Sequence, residues 1–588
     1  MHIIKTAFKK AWPNSLDNSI LLGDWCINED SLDTNEIDKL KIIDYHFNDR
    51  KKLYDSKKEI NKIYDELLII LTSSLNKLFK KNNNKRYWEI IWGCWLHTFI
   101  LVLFDRNISI ENILKKHPNS VTNILNPKSY IIASNTAEYL NNVQSDFYNF
   151  QIYSSLWSKY EGNINSIISN SYKTKNTINS IYYYCKILLM NFCRPFFELI
   201  FKKSNIISYS TGFPKKTLLK IIFKSNFKII PFELFADDKI KNSKKINQDL
   251  ILRYELKNIL IKFKKKNNNF LNLCLDLISE HTPISILEGY NRTIRINNNI
   301  GKVKYLFSAN GFLNDPWNIL CAENIKNGAK LINCQHGGGY GIQKFSGLED
   351  YEINVADKYI TTGWKLSPNH KFTPMPLPFI NKNRNKKINK NGGVFYIRND
   401  YSPYLYRIFS HPIGKYAGLY RKWPDRFLQK LDSIVLFNTL VRFNLKSHSQ
   451  YSYESFKQKH QKVKYDDNTK NFNYQLKNCK IAISDTNQTT YLQSIALNIP
   501  TIVFWNPKST EIRKDAKLFI DDLNRVGILH YSPESAASFL NLTYESIDKW
   551  WMSNEVQKVR NNFISNYANI SDSWEDDWIK FFNKILDE

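Results

Sequence analysis

The most constraining feature of the sequence is a short apolar run, Lys330–Cys334, that ends abruptly in Gln335, His336 and three glycines. Such a run indicates a buried strand, and the glycines indicate a tight turn directly after it. Residues 303–308 and 357–364 show a similar pattern, and a helix is predicted between the run at 303–308 and the run at 330–334. Strands that alternate with helices in this way predict a parallel α/β sheet.

Two pairs of polar side chains follow strands of this predicted sheet. Asn314 and Asp315 come after the first strand, and Gln335 and His336 come directly after the second. Ligands of open α/β sheets bind outside the carboxyl ends of the strands, so this edge is the predicted catalytic face. For Asp315 a second interpretation stays open, because Asn314 and Asp315 before a proline also form a favourable helix start.

A second informative stretch, residues 479–505, predicts a strand, a turn rich in hydroxyl groups, a helix and another strand. Hydroxyl groups and free backbone N–H groups at a helix N-terminus form an anion site, which fits the phosphate of an activated sugar. The alternative is that one hydroxyl caps the helix and the others are solvated. The candidate phosphate ligands, including two arginines expected to hold the leaving phosphate, are Ser484, Thr486, Thr489, Thr490, Arg398 and Arg442.

The chain has 83 basic and 55 acidic residues, a net charge of +28. The lysines are dispersed, and asparagine, isoleucine and tyrosine are also abundant, so nucleic acid is not an expected partner. A basic face that contacts the anionic inner membrane, or that attracts an anionic substrate, is the favoured interpretation. The first ten residues lack a signal-peptide core, which favours a cytoplasmic protein that is peripheral to the membrane.

Neither cysteines nor acidic residues predict a metal site. The eight cysteines are scattered and include no Cys-x-x-Cys pair, which favours reduced core cysteines. No convincing Asp-x-Asp motif is present either, so we expect a metal-independent reaction without a cofactor.

The length of 588 residues predicts several domains. We expect a mostly helical N-terminal region at 1–200, on the acceptor side, and a first Rossmann-like domain with the catalytic loops at 201–380. A polar, glycine-ended linker is predicted at 381–393, and a second, nucleotide-binding Rossmann-like domain with C-terminal helices at 394–588. The expected fold class is therefore α/β with two Rossmann-like domains, as in GT-B glycosyltransferases.

Several longer motifs carry a resemblance to a family of transferases encoded with bacterial surface-polysaccharide genes. They are Leu-Gly-Asp-Trp-Cys at 22–26, Asp-Tyr-His-Phe-Asn-Asp-Arg at 44–50, Gln-His-Gly-Gly-Gly-Tyr-Gly at 335–341 and Ala-Asp-Lys-Tyr-Ile-Thr-Thr-Gly-Trp at 356–364. The similarity extends from about residue 12 to residue 505. It implies a transferase and leaves the substrate open.

The order of Glu288, Asp315 and the Gln-His-Gly motif also resembles that of retaining β-Kdo transferases, which use CMP-activated Kdo on a GT-B-like fold. This resemblance implies that Asp315 attacks the anomeric carbon, that His336 contacts the donor or its carboxylate, and that Glu288 is the acid/base. Donor or acceptor contacts are further expected from Asn314, Gln335, Gly337, Gly338, Tyr340 and Glu352. From the N-terminal region, Asp24, His46, Asp49 and Arg50 are expected to line the same cleft.

The predicted function is therefore transfer of a sugar, with Kdo or a nonulosonate preferred, from a CMP-activated donor to a glycan or lipid-linked acceptor. The resemblance favours a retaining outcome. Two alternatives stay open: a polyol-phosphate transferase of the type that makes wall polymers, and a non-catalytic scaffold of a polysaccharide assembly complex.

Overall fold

A computed structural model gives the protein a mixed α/β fold with three parallel sheets that follow one another along the chain. The structure describes residues 1–27, 40–160, 162–169, 204–234, 246–297, 303–366, 370–382, 392–399, 401–408, 410–443 and 453–588. The second and third sheets are doubly wound, so the predicted α/β class with two Rossmann-like domains is confirmed.

The N-terminal region combines long helices with a small sheet. Its strands, in the order β3-β2-β1-β4-β5, are β1 (His2–Ile4), β2 (Ser19–Leu21), β3 (Lys41–Ile42), β4 (Val121–Leu125) and β5 (Asn163–Ile168). Its helices are α1 (Arg50–Phe79), α2 (Lys85–Lys116), α3 (Thr136–Asn142) and α4 (Asp146–Lys159). The sequence indicates the helices and one short strand that begins at Ser19, but the other strands were missed, because strands of two to six residues are too short to show a period.

Helix α2 forms the centre of this region. It is long and apolar enough to cross a membrane by length and composition, yet 89% of its most apolar window is buried inside the protein. Trp88, Trp92 and Trp95 are fully buried along it. A helix that is apolar on all sides is covered by other elements of a large core, and α2 fits that description.

The second sheet has the order β11-β10-β9-β8-β6-β7. Its strands are β6 (Ile206–Tyr209), β7 (Ile229–Pro231), β8 (Tyr305–Ser308), β9 (Lys330–Cys334), β10 (Lys358–Thr361) and β11 (Phe372–Pro374). The helices of this part are α5 (Lys215–Lys224), α6 (Leu250–Leu260), α7 (Asn269–His281), α8 (Tyr290–Asn297), α9 (Asp315–Lys326), α10 (Glu349–Val355) and α11 (Pro378–Asn381). The three strands predicted around the glycine-rich motif are thus neighbours at the middle of one parallel sheet.

The third sheet has the order β14-β13-β12-β15-β16-β17, with the chain reversing its winding direction between β12 and β15. Its strands are β12 (Val394–Arg398), β13 (Thr439–Phe443), β14 (Lys464–Tyr465), β15 (Ile481–Ser484), β16 (Thr501–Phe504) and β17 (Leu529–His530). Its helices are α12 (Lys415–Lys430), α13 (Ser433–Phe437), α14 (Tyr453–Lys459), α15 (Phe472–Lys477), α16 (Thr489–Ala496), α17 (Lys517–Arg525), α18 (Pro533–Thr543), α19 (Ile547–Trp551), α20 (Asn554–Tyr567) and α21 (Trp574–Asp587). Ligands of such sheets bind at the reversal point.

The last helix, α21, packs against the second sheet rather than the third. Trp578 and Phe582 contact Phe307 of β8, and the indole of Trp578 donates a 2.9 Å hydrogen bond to the carbonyl of Pro376. The final helix of the segment predicted as one domain at 394–588 therefore packs on the middle domain. Most of the linker predicted at 381–393 lies outside the described residues.

Side chains from all three parts fix their arrangement. Arg106 of α2 donates a 2.7 Å hydrogen bond to the carbonyl of Leu405, which follows β12. Arg50 at the start of α1 makes a two-pronged ion pair with Glu511, at 2.7 and 2.8 Å, and the backbone carbonyl of Glu511 accepts from Lys344. The segment after β16 thus contacts both other parts of the molecule.

Candidate functional site

The carboxyl ends of the second and third sheets meet at the glycine-rich motif. The backbone N–H of Gly338, after β9, donates a 3.1 Å hydrogen bond to the hydroxyl of Thr489, at the first residue of α16. Beside this contact, the side-chain amide of Gln343 donates to the carbonyl of Asn487 at 2.9 Å. The two loops that sequence analysis selected independently are therefore in contact, and we call the region between the two sheet edges at this contact the cleft.

Gln335 does not face this cleft. Its side-chain oxygen accepts from the indole of Trp364 at 2.8 Å and from the backbone and hydroxyl of Thr362, and its amide nitrogen donates to the carbonyl of Gly337. The side chain is buried, and protein groups bond to its oxygen and to one of its two amide N–H groups. The predicted substrate contact is thus wrong, and Gln335 instead holds the loop that carries His336.

His336 is the predicted catalytic residue that does reach the cleft, with 28% of its side chain exposed. Its ring lies 5.6 Å from that of Phe312 and 5.2 Å from that of Tyr340. Burial, followed by the positive charge of Arg407, lowers the pKa of His336 to about 4, and a hydrogen bond with the backbone of Ala309 opposes this shift. The imidazole is therefore neutral at pH 7.

Tyr340 and Glu352 lie beneath His336 instead of lining the cleft. The Tyr340 hydroxyl donates a 2.6 Å hydrogen bond to Glu352, whose second oxygen accepts from Tyr359 at 3.2 Å and lies 3.8 Å from Nδ1 of His336. Burial raises the pKa of Glu352 to about 8. Both residues were predicted as pocket contacts, and the structure corrects this: they form a buried polar support for the histidine.

The structure adds charged residues that sequence reasoning missed. Arg407 is close enough for its charge to affect both His336 and Glu352. Glu349, one helical turn from Glu352, accepts a 2.8 Å hydrogen bond from Arg513, and burial raises its pKa to about 7. The spacing of the two glutamates after the glycine-rich motif was a usable signal, whereas the two arginines belong to no motif.

Asp315 is not placed to attack a substrate. It is the first residue of α9 and only 1% exposed, and its carboxylate accepts from the backbone of Thr136 at 2.9 Å and from the hydroxyl of Ser285. Burial raises its pKa. Asn314 caps the same helix, accepting from the backbone of Trp317 at 2.9 Å. The helix-start interpretation is thus correct, and the nucleophile prediction for Asp315 is wrong. The pocket role of Asn314 stays a prediction.

Glu288 is likewise committed to a structural contact. Its carboxylate forms a two-pronged ion pair with Arg253, at 2.6 and 2.9 Å, and its side chain is 3% exposed. Arg253 also donates to the carbonyls of Ser279 and Thr282. A catalytic acid/base must reach substrate, so the role implied for Glu288 by resemblance does not fit this geometry.

In the third sheet, only some of the predicted phosphate ligands face a cavity. Arg442 and Thr490 line a cavity of about 310 Å³ at the carboxyl ends of β12 and β13. Arg442 also donates to Asp466 at 2.9 Å, which holds its guanidinium in place. The remaining lining residues, none of which was predicted, are Ile397, Asn399, Phe443, Asn468, Phe472 and Gln493.

Three other candidates are buried outside that cavity. Arg398 is 2% exposed, lies 5.3 Å from the ring of Phe443, and opposes the burial that raises the pKa of Asp485 to about 6. Thr486 accepts a 2.8 Å hydrogen bond from Asn399, and Ser484 is 1% exposed. These three side chains lie outside the cavity, so their role as phosphate ligands stays a prediction.

Three of the four residues expected from the N-terminal region make structural contacts. Asp49 caps α1. His46 lies 3.1 Å from the buried carboxylate of Asp105, and Arg50 is paired with Glu511 as described above. Within the described ranges, no group of three or more histidine, cysteine, aspartate or glutamate side chains could hold a metal ion. Metal independence stays a prediction.

Comparisons with known proteins place the chain in a family. No curated protein matches it. Among solved structures, the crystal structure of MurG from Acinetobacter baumannii aligns over 65% of this chain and 99% of MurG, at 10% identity and a TM-score of 0.32. A profile of the LIC12162 family transferases matches residues 1–582, nearly the whole chain. The predicted transferase identity is thereby confirmed: the chain belongs to the LIC12162 family of transferases.

Proposed function

We propose that the protein is a glycosyltransferase that binds a nucleotide-activated sugar in the cleft between its two doubly wound sheets. The observation that carries this proposal is the contact of Gly338 with Thr489, which brings His336 to the same cleft as the hydroxyl-rich N-terminus of α16. A cavity lies next to that helix, near the point where the third sheet reverses its winding. Nucleotides bind at such points in doubly wound sheets.

The nucleotide would occupy the cavity of about 310 Å³. Arg442, held by Asp466, offers its remaining N–H groups to a phosphate, and Thr490 lies in the first turn of α16, where the helix dipole favours an anion. The cavity is at the small end of the range for ligand sites. We therefore propose a nucleoside monophosphate leaving group, and the resemblance of the Gln-His-Gly motif to β-Kdo transferases favours CMP.

His336 and Arg407 would face the sugar. A neutral imidazole can donate or accept a hydrogen bond, and the charge of Arg407 beside it favours an anionic donor such as Kdo or a nonulosonate, each of which carries a carboxylate. Asp315 lies outside the cleft, so retention has no nucleophile among the predicted residues. Our proposal is therefore metal-independent glycosyl transfer of either stereochemistry, from a cytoplasmic donor to a glycan or lipid-linked acceptor.

The test is a thermal-shift and calorimetric screen of CMP, CDP, UDP and GDP. We expect CMP to stabilise the protein selectively. Arg442→Gln is expected to weaken CMP binding about tenfold, because a charge-assisted hydrogen bond is lost. Thr490→Val is expected to weaken binding less. The matched control is Arg426→Gln, which removes an exposed arginine of α12 that pairs with Glu534. The proposal fails if no nucleotide changes the melting temperature at millimolar concentration.

A further inference from the structure

Helix α5 of the middle domain exposes apolar side chains to solvent. Leu219 is 53% exposed and Phe223, one turn later, is 61% exposed. Phe227, just after the helix, is 38% exposed, and its ring lies 5.3 Å from that of Phe223. The opposite face of α5 is buried through Thr217, Ile221 and Ile222. The exposed side chains therefore form a continuous apolar stripe on a helix that is otherwise well packed.

The backbone around Phe227 adds to this exposure. Asn226 and Phe227 both have positive φ, 52° and 62°, a conformation that bulky side chains rarely adopt. Both residues follow the end of α5, where the backbone N–H of Phe227 donates a 3.0 Å hydrogen bond to the carbonyl of Ile222, so the conformation is that of a helix C-terminus. Here the geometry turns the ring of Phe227 towards that of Phe223 at the surface.

Lysines surround the stripe. Lys215, Lys216, Lys224 and Lys228 are exposed, and residues 215–228 contain no acidic side chain. Lys220 pairs with Glu575 and Asp576 of α21, and the charge of Lys224 also helps to lower the pKa of Asp576. Aromatic and leucine side chains between lysines are the composition of helices that lie in the interface of an anionic bilayer. We call Leu219, Phe223, Phe227 and these four exposed lysines the α5 patch.

We propose that the α5 patch docks the protein on the surface of a bilayer that contains anionic lipids. The positive charge complements anionic headgroups, and the apolar side chains are long enough to enter the headgroup boundary. Three apolar side chains offer far less than the roughly 800 Å² that each partner buries in a stable protein interface, so a lipid surface fits the patch better than a second protein.

The position of α5 relates this surface to the cleft. Strand β6 ends at Tyr209, and a short loop leads from it into α5 at the carboxyl edge of the sheet. At the same edge, the side-chain amide of Asn314 donates a 2.9 Å hydrogen bond to the hydroxyl of Tyr209. The helix then returns to the amino edge of the sheet, because Phe227 lies just before β7, which is parallel to β6. Only the Lys215 end of the patch therefore lies at the edge that carries the cleft. The membrane contact does not rest on the proposed function.

The experiment is flotation of the full chain with vesicles of phosphatidylcholine alone and of phosphatidylcholine mixed with phosphatidylglycerol. We expect flotation with the anionic vesicles only, and a decrease as salt is raised. Lys215→Gln with Lys216→Gln, and separately Leu219→Ser with Phe223→Ser, are each expected to lower binding about tenfold or more. The matched control is Leu518→Ser with Leu542→Ser, which removes leucines that are 78% and 84% exposed on α17 and α18.

Melting temperature and the response to CMP are measured on every variant, so that loss of folding or of nucleotide binding is separated from loss of membrane binding. Equal flotation of the wild type and both patch variants would overturn the proposal, and so would the absence of flotation with either vesicle. A patch variant that turns a dimer into a monomer, without any effect on vesicles, would assign the surface to a second copy of the chain and also overturn it.

Discussion

The contact between the two doubly wound domains can be tested with two adjacent alanine substitutions. A Cβ atom added at Gly338 would lie 2.6 Å from Cα of Thr489 and 2.7 Å from the carbonyl of Gln488. These are backbone atoms that cannot rotate away, so the loop and α16 must separate. A Cβ atom at Gly337 would lie 3.6 Å from the ring of Tyr340 and 3.7 Å from the Thr489 hydroxyl, which is ordinary contact.

Neither glycine has a positive φ, so alanine is compatible with the backbone at both positions. Overpacking costs about 1–3 kcal/mol, and reduced entropy of the unfolded chain returns about 0.4–1 kcal/mol. Gly338→Ala is thus expected to lower the free energy of unfolding by about 1–2 kcal/mol, and Gly337→Ala to leave it unchanged or slightly raised. At about 2–4 °C per kcal/mol for a domain of this size, the melting temperatures should differ by several degrees. Equal melting temperatures for the two variants would refute the interdomain contact.

Three further predictions concern buried polar groups. Burial raises the folded-state pKa of Glu352 to about 8, so the folded protein holds a proton that the unfolded chain releases near pH 4.5. This group by itself lowers the free energy of unfolding by about 1.4 kcal/mol per pH unit between these values. The stability of Glu352→Gln should therefore fall less steeply with pH than that of the wild type, by that amount, whereas exposed Glu545→Gln should follow the wild type. Gln335→Ala removes the hydrogen-bond acceptor of Trp364 and Thr362. It is expected to lower the free energy of unfolding by about 2–4 kcal/mol, measured with denaturant, far more than substitution of an exposed glutamine. Arg50→Ala leaves Glu511 without its ion pair and should cost about 3 kcal/mol, detectable as faster proteolysis between the domains; an unchanged cleavage rate would contradict the proposed role of this pair.

The second and third sheets could be predicted from sequence because their strands carry strong local signals. Lys330–Cys334 and Ile481–Ser484 are apolar runs that end in glycine or hydroxyl residues, and both are strands of the structure. The N-terminal sheet has no such signal. His2–Ile4 and Lys41–Ile42 are too short for a period, and β1 pairs with β4, more than a hundred residues away. That pairing depends on long-range packing around α2, which no local pattern reports.

The site was predicted to the level of its loops, but less well to the level of its side chains. A polar residue at a strand end can either contact substrate or hold the loop in place, and both roles use the same residue types. Asp315 illustrates the second case, since a carboxylate in the first turn of a helix finds the free N–H groups and hydroxyls of neighbouring segments. Residue type is the same in both cases, and only the direction of the side chain separates them.

Direction follows from the backbone, and at the motif it explains why one prediction succeeded beside one that failed. Successive residues of an extended chain point to opposite sides. Gln335 and His336 leave β9 as neighbours, so their side chains point to opposite sides and only one of them faces the cleft. The side chain of Gln335 bonds to the residues after β10, which leaves the imidazole of His336 on the cleft side. The two residues therefore act together: the side-chain amide of Gln335 fixes the loop, and the loop fixes the position of His336.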